Sequence, residues 1–333
     1  MNNPDNQSSL PSYIANASPN PPDKRAPWYA NTAPTYAGIF LWFIFWQNAT
    51  VSSNLGSIFS QGIAVPLIAL VVSALICHFL FYLVPGMLGM RTGLPLYIVG
   101  TSTFGATGGF VMPGFLMGVL QFGWLGVNCY GAGLALNAIV PVKPEIMMAI
   151  WGVLAAFVGL KGIQYVAKIA TYLPLIPLIT LLVMFLKTAN GLGSFDPMKY
   201  AAAHKLANPA ALAPLDVMGV FAFVITYVVG FFATAGAAGV DFGSGNRNKS
   251  DVSMGGLVGV ALSIVFTVGM GILIVAGAFG AGVAGTEGAK ELCVRCSHPD
   301  SHTPGRGRRQ MGAFRLGGVG LPLGLLFLAD CRQ

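Results

Sequence analysis

Long apolar runs separated by short polar breaks fill the chain between residues 34 and 284. A membrane-spanning helix needs roughly 20 apolar residues, because each adds about 1.5 Å against a hydrocarbon core of about 30 Å. Seven segments are predicted to span: 34–56, 61–86, 108–138, 145–160, 165–188, 215–240 and 255–284. The fourth is short for the task. Residues 1–33 are rich in Asn, Pro and Ser and carry no apolar signal core, so a disordered cytoplasmic tail is expected there. The pattern predicts an all-α polytopic membrane protein with its transmembrane domain at 34–286.

Composition narrows the function classes. Hydrophobic residues make up 55% of the chain and charged residues 9%, whereas a soluble domain carries roughly 25% charged residues. So little charge cannot cover a globular surface in water. A soluble enzyme, a nucleic-acid binder and a disordered regulator are excluded, and no obligate protein partner is evident. Lipid is the expected surrounding. Cys77 and Cys129 lie inside apolar runs and read as small buried hydrophobes, so no disulfide framework is expected.

Charge sets an orientation. Lys24, Arg25, Arg91, Lys161, Lys168, Arg247 and Lys249 fall on one side of the seven spans, and Lys143, Lys187, Lys199 and Lys205 on the other. The excess places the N-terminus in the cytoplasm, for a protein of the inner or plasma membrane. Residues 287–333 are of another character: they hold six of the nine arginines and three of the five cysteines. Their apolar run 317–329 is short and broken by Gly and Pro. An aberrant, frameshifted end is expected there. The spacing Cys293-x-x-Cys296-x-His298-x-x-x-His302 superficially matches a zinc site, but its irregular surroundings argue against a metal.

Polar and helix-breaking residues interrupt three spans: Phe45-Trp-Gln-Asn-Ala-Thr50 in the first, Gly105-Ala-Thr-Gly-Gly109 with Pro113 in the third, and Gly230-Phe-Phe-Ala-Thr-Ala-Gly236 in the sixth. Freed backbone groups cannot face lipid, and broken helices of this kind point to a transporter site. Glycines alone would equally serve close helix packing. Gln121, Trp124 and Asn128 recur at spacings of three and four, hence on one helical face. An indole plane flanked by two amides suits a flat heterocycle, stacked on Trp124 and read at its edge. Interhelical hydrogen bonding explains the same spacing equally well. Phe231 or Phe232 could supply a second ring, Thr234 a hydroxyl, and a break at Gly236 exposed backbone. Gln47 and Asn48 could touch substrate or orient carbonyls toward a cation. No span carries an acid near its centre, which leans toward sodium rather than proton coupling. Asp241 near Arg247 is expected to form a loop structure or gate. No nucleophile triad, phosphate loop or paired carboxylate appears, so no enzyme is expected.

Ordered along the chain, Arg91-Thr-Gly-Leu-Pro-Leu96, Ser102-Thr-Phe-Gly-Ala-Thr-Gly108, Gln121-Phe-Gly-Trp-Leu-Gly-Val-Asn128, Gly230–Gly236, Asp241-Phe242 and Asn246-Arg-Asn-Lys249 carry a resemblance over roughly residues 27–285. They resemble the nucleobase:cation symporter family of cytosine/purine, uracil, hydantoin, allantoin and thiamine permeases, most of all its cytosine branch. The resemblance implies two inverted five-helix repeats, with the first and sixth helices broken. It implies a base stacked between Trp124 and Phe232, with polar contacts from Gln121, Asn128, Thr234 and Gln47. It places a coupling cation, Na+ or H+, near the backbone of Trp46 and Asn48, with no other cofactor. Seven spans leave the second repeat incomplete against that pattern, and instability or inactivity of the chain alone is expected. The readings are a nucleobase importer for cytosine or a purine working by cation symport with alternating access, a non-transporting membrane remnant, or a permease for hydantoin, allantoin, thiamine or an amino acid.

Overall fold

The computed structural model describes residues 11–41, 58–140, 142–160, 172, 174–207 and 214–282. All regular structure among them is helical, apart from one isolated bridge between Ala26 and Asn246. The principal helices are α1 (Thr32–Phe40), α2 (Ala64–Thr92), α3 (Thr101–Gly133, continuing to Ile139), α4 (Pro144–Leu160), α5 (Leu175–Thr188), α6 (Pro197–Ala207), α7 (Val217–Ala237), α8 (Gly239–Ser244) and α9 (Lys249–Gly280). Five of the described segments are long and apolar enough to cross a membrane: α2, α3, α5 with its 3-10 extension to Ser194, α7 and α9. The α4 helix is apolar but shorter, as its sequence foretold. The expected first span begins with α1 and then passes outside the described residues. The protein is an all-α polytopic membrane protein.

Two long helices widen where proline interrupts them. Proline lacks the N–H that would meet the carbonyl four residues earlier. In α2, a π-helical stretch at Cys77–Leu83 precedes Pro85. In α3, the π-helical stretch Phe110–Leu116 contains Pro113, and Gly105 (φ 71°, ψ 175°) kinks the helix one turn earlier. The third span therefore begins at Thr101 rather than at 108, the kink being carried inside it. A third π-helical stretch, Leu257–Leu262 in α9, contains no proline.

The described residues divide into two compact units. One draws on Met1–Ile39, Ala74–Leu173 and Val229–Ser263. Its core is aromatic: Tyr36 of α1 meets Phe242 at 4.8 Å, Tyr82 at 5.2 Å and Phe232 at 5.7 Å between ring centroids. Helices α2 and α8 touch backbone to backbone through glycines. A Cβ on Gly89 would overlap the Val240 carbonyl, and one on Gly243 would overlap that of Gly86. The other unit draws on Phe40–Ser73, Pro174–Val228 and Ile264–Gln333. There Phe59, Phe195, Tyr200 and Phe279 form a ring cluster with centroids 4.9 to 6.1 Å apart. Glycines again allow close approach, with Gly191 against Gly277 and Gly280.

Residues 11–33 differ from the disordered tail expected of their composition. They form a strap along the first unit, with single turns at Ser12–Ala15, Pro22–Lys24 and Trp28–Ala30. The Asn20 amide donates to the Gly93 carbonyl (2.8 Å) and the Ala26 amide to the Gly245 carbonyl (2.9 Å). Arg25 donates from Nη1 to the Met90 carbonyl at 2.8 Å and from Nε to the Asn20 carbonyl at 3.1 Å. Met90 lies in the last turn of α2, where unpaired carbonyls and the helix dipole favour a cation. Polar side chains thus order this segment by meeting backbone groups far away in sequence, which composition does not register.

Candidate functional site

Trp124 lies midway along α3, and Gln121 and Asn128 share its face at one-turn spacings. Trp124 is partly buried while Gln121 and Asn128 are exposed. The Asn128 Nδ2 donates to the Trp124 carbonyl at 2.8 Å, which holds the amide against its own helix. Trp124 is anchored from α7: its Nε1–H donates to Thr234 Oγ1 at 3.1 Å. The Thr234 hydroxyl in turn donates to the Phe231 carbonyl at 3.4 Å. That hydroxyl therefore both donates and accepts, with one lone pair left for a ligand.

The aromatic partner of Trp124 among the described ring pairs is Phe231, edge-on at 5.2 Å and 76°. Phe232 has no exposed surface and packs on Tyr36 at 49°. Adjacent helical residues point about 100° apart, so only one of the two can face α3. The phase of α7 turns Phe231 toward Trp124 and Phe232 into the aromatic core. A base sandwiched between parallel rings would need about 7 Å between planes, which the edge-on Trp124–Phe231 pair does not offer in this conformation.

The sixth span is also continuous where a break was expected. Helix α7 runs through Gly230 and Gly236 to Ala237, and the chain turns at Ala238 before α8. Gly236 serves packing: a Cβ there would lie 2.9 Å from the Phe81 carbonyl. The Ala235 carbonyl, in the last turn of α7, accepts from the Tyr36 hydroxyl at 3.1 Å. Gln47, and Trp46 and Asn48, expected near a cation, lie outside the described residues, as do residues 287–333. No group of three or more metal-ligating side chains occurs among the described residues.

At the strap end of the same unit, Asp241 and Arg247, expected to form a loop structure or gate, make two separate contacts. Asp241 Oδ1 accepts from the Leu96 amide at 2.8 Å and so caps the turn Leu96–Val99. Burial raises this carboxyl above its ordinary value, and the Leu96 N–H opposes the rise. Arg247 instead pairs with Asp251 at 3.0 Å, one helical turn on, and that bond raises the guanidinium further. Asp251 Oδ1 also accepts from the Trp28 amide at 3.1 Å. Beside this, Asn246 has no exposed surface. Its Oδ1 accepts from Thr32 Oγ1 (3.0 Å) and Asn31 Nδ2 (3.2 Å), and its Nδ2 donates to the Tyr82 hydroxyl (3.4 Å). The strap thus closes on a satisfied polar knot that brings Arg25, Arg91 and Arg247 to one end.

The sequence reading missed His78. A lone imidazole at the middle of a 29-residue apolar helix is the signal that marks it.

Comparison with known proteins fits these features. The family model described as a permease for cytosine/purines, uracil, thiamine and allantoin matches residues 19–295. The cytosine permeases of Escherichia coli strains K12, O6:H1 and O157:H7 are each 26% identical over 212 residues, 63% of this chain and 45% of theirs. The chain therefore spans less than half the length of the curated relatives it matches. Family and architecture together indicate an integral membrane protein. The chain belongs to the permease family for cytosine/purines, uracil, thiamine and allantoin.

Proposed function

We propose that this chain serves the import of a nucleobase or closely related planar heterocycle, cytosine or a purine foremost, by secondary active transport. The observation that carries the reading is Trp124, held by Thr234 on a face that also bears Gln121 and Asn128. A pinned indole loses little freedom on stacking with a ring, and stacking is worth about 1–3 kcal/mol per base. Gln121 supplies a donor and an acceptor to the edge of that ring, and Asn128 keeps its side-chain carbonyl for the same purpose. Thr234 acts by orienting the indole. Phe232 and Gln47 join the site on the family resemblance. The coupling ion is Na+ or H+, taken near Trp46 and Asn48 if sodium, within an inverted-repeat fold that alternates access.

The clustered Arg25, Arg91 and Arg247 support a cytoplasmic strap end, in an inner or plasma membrane. Radiolabelled cytosine and adenine binding to the purified chain, and uptake into liposomes with and without a sodium gradient, test the reading. Saturable binding of either base that weakens in Trp124→Ala supports it. Absence of binding by cytosine, adenine, uracil, hydantoin, allantoin and thiamine alike refutes it.

A further inference from the structure

His78 occupies the centre of α2, with 14 residues of the 29-residue helix on either side. At about 1.5 Å per residue it lies roughly 21 Å from each end, deep within a hydrocarbon core about 30 Å thick. The residue is 5% exposed, and its Nδ1 has no hydrogen-bond partner among the described residues. A histidine that merely packs would ordinarily satisfy a buried ring nitrogen. Ionisable side chains at this depth are costly and mark ion or proton pathways.

The surroundings are built around the imidazole. His78 lies in the π-helical stretch Cys77–Leu83. Against it packs another π-helical stretch, Leu257–Leu262 of α9, which no proline explains. Such widened turns recur at functional sites. Between the two stands Gly256, where a Cβ would lie 2.7 Å from His78 Nδ1 and would overlap the Tyr82 ring. Phe79 covers the imidazole at 4.7 Å.

Neighbouring ionisable groups are committed elsewhere or lie toward the strap end. Cys77, Tyr82 and Arg91 share α2. The packed segment Lys249–Gly256 carries Lys249 and Asp251, and α8 carries Asp241. Asp251 is engaged by Arg247 and the Trp28 amide, Asp241 by the Leu96 amide, and the Tyr82 hydroxyl by Asn246. Among the described residues no carboxylate is left to hold an imidazolium where the ring now sits.

We propose that His78 is the proton-binding site of the transport cycle. Its Nδ1 lone pair takes a proton from water that reaches the α2–α9 seam, giving an imidazolium with an Nδ1–H. The Gly256 carbonyl in the seam offers that donor an acceptor, but the charge itself meets no free carboxylate among the described residues. Protonation therefore favours a rearranged seam between the two widened stretches, and the transported base biases the same rearrangement. This assigns the coupling ion as H+ and deepens the permease reading, on which it depends.

The test uses the full chain with His204, His298 and His302 replaced by Gln, labelled with 15N-imidazole histidine, in phosphatidylcholine/phosphatidylglycerol vesicles. NMR across pH 5–9 follows the His78 nitrogens with and without cytosine. The expected result is conversion of a neutral tautomer to imidazolium within that range, with a midpoint that cytosine moves by about 0.7–2 pH units, as a 5–150-fold coupling requires. A His78 ring that stays neutral across the range while cytosine binds overturns the proposal and leaves the permease reading intact. A midpoint indifferent to bound cytosine overturns it as well. Failure of cytosine and every other family heterocycle to bind overturns the permease reading itself. In parallel, His78→Gln keeps the volume and a polar edge but cannot carry the proton. Once thermal unfolding shows the variant folded, its cytosine affinity is expected to be flat between pH 5 and 9. A pH dependence equal to that of the parent chain would refute the assignment.

Discussion

The bond between Trp124 Nε1 and Thr234 Oγ1, 3.1 Å long and partly buried, separates two roles for Thr234. If the hydroxyl acts by holding the indole, Thr234→Val leaves Nε1–H without its partner at nearly constant side-chain shape. Removing one partner of such a bond costs about 1–3 kcal/mol when the remaining group is buried. Partial exposure of Trp124 places the effect at the lower end, about 1 kcal/mol, or roughly a fivefold rise in Kd. Trp124→Phe keeps an aromatic face but has no N–H to hold. In that background, Thr234→Val should have little further effect, so the double-mutant cycle returns a coupling of about 0.5–1.5 kcal/mol. Equilibrium binding of labelled cytosine to the purified chain and its three variants measures it, with thermal unfolding as a check that each is folded. An equal loss from Thr234→Val in both backgrounds would refute the reasoning and put the hydroxyl directly on the ligand.

Trp124→Ala should weaken binding of every accepted base by about 1–3 kcal/mol, since stacking is indifferent to the ring's edge; a loss confined to one base would show edge recognition instead. Gly89→Ala should lower the unfolding temperature, because its methyl would overlap the Val240 carbonyl and overpacking costs about 1–3 kcal/mol. Gly118→Ala, with open space around its Cβ, is the matched control, and equal shifts in the two would count against backbone contact between α2 and α8. Asp251→Ala removes the acceptor of the Trp28 amide. Hydrogen exchange should then quicken over residues 26–31 while the α5 amides stay protected, and unchanged exchange in the strap would show that Asp251 does not hold it. Asp196 accepts from the Met198 and Lys199 amides at the start of α6, and the Lys199 N–H foremost holds its carboxyl below the ordinary 3.8. Its stabilising contribution is therefore present above that ordinary value and lost as pH falls through the lower folded value. Local exchange of α6 should show this acid loss, and Asp196→Asn should remove its pH dependence.

The positions of α2, α3, α7 and α9 were legible in the sequence because a span of about 20 apolar residues is a local requirement of the bilayer, met residue by residue along the chain. The common face of Gln121, Trp124 and Asn128 was equally legible, since helical periodicity alone places such spacings together. The proline-linked irregularities of α2 and α3 follow from a missing N–H, again a local cause.

Three features were decided only by tertiary structure. The phase of α7 sends Phe231 to Trp124 and Phe232 to Tyr36. An all-round apolar helix has no polar face to reveal that phase, because lipid and protein interior are alike to a Phe side chain. The partner of Asp241, the Leu96 amide 145 residues away, was set by the packing of distant segments, whereas Arg247 pairs with Asp251 one helical turn on. The strap is ordered by contacts such as Trp28 to Asp251, 223 residues apart. Its Asn, Pro and Ser lack apolar surface to bury, so composition describes only a tail. Its order comes from polar groups answering unpaired backbone at helix ends, and those ends meet only once the helices have packed.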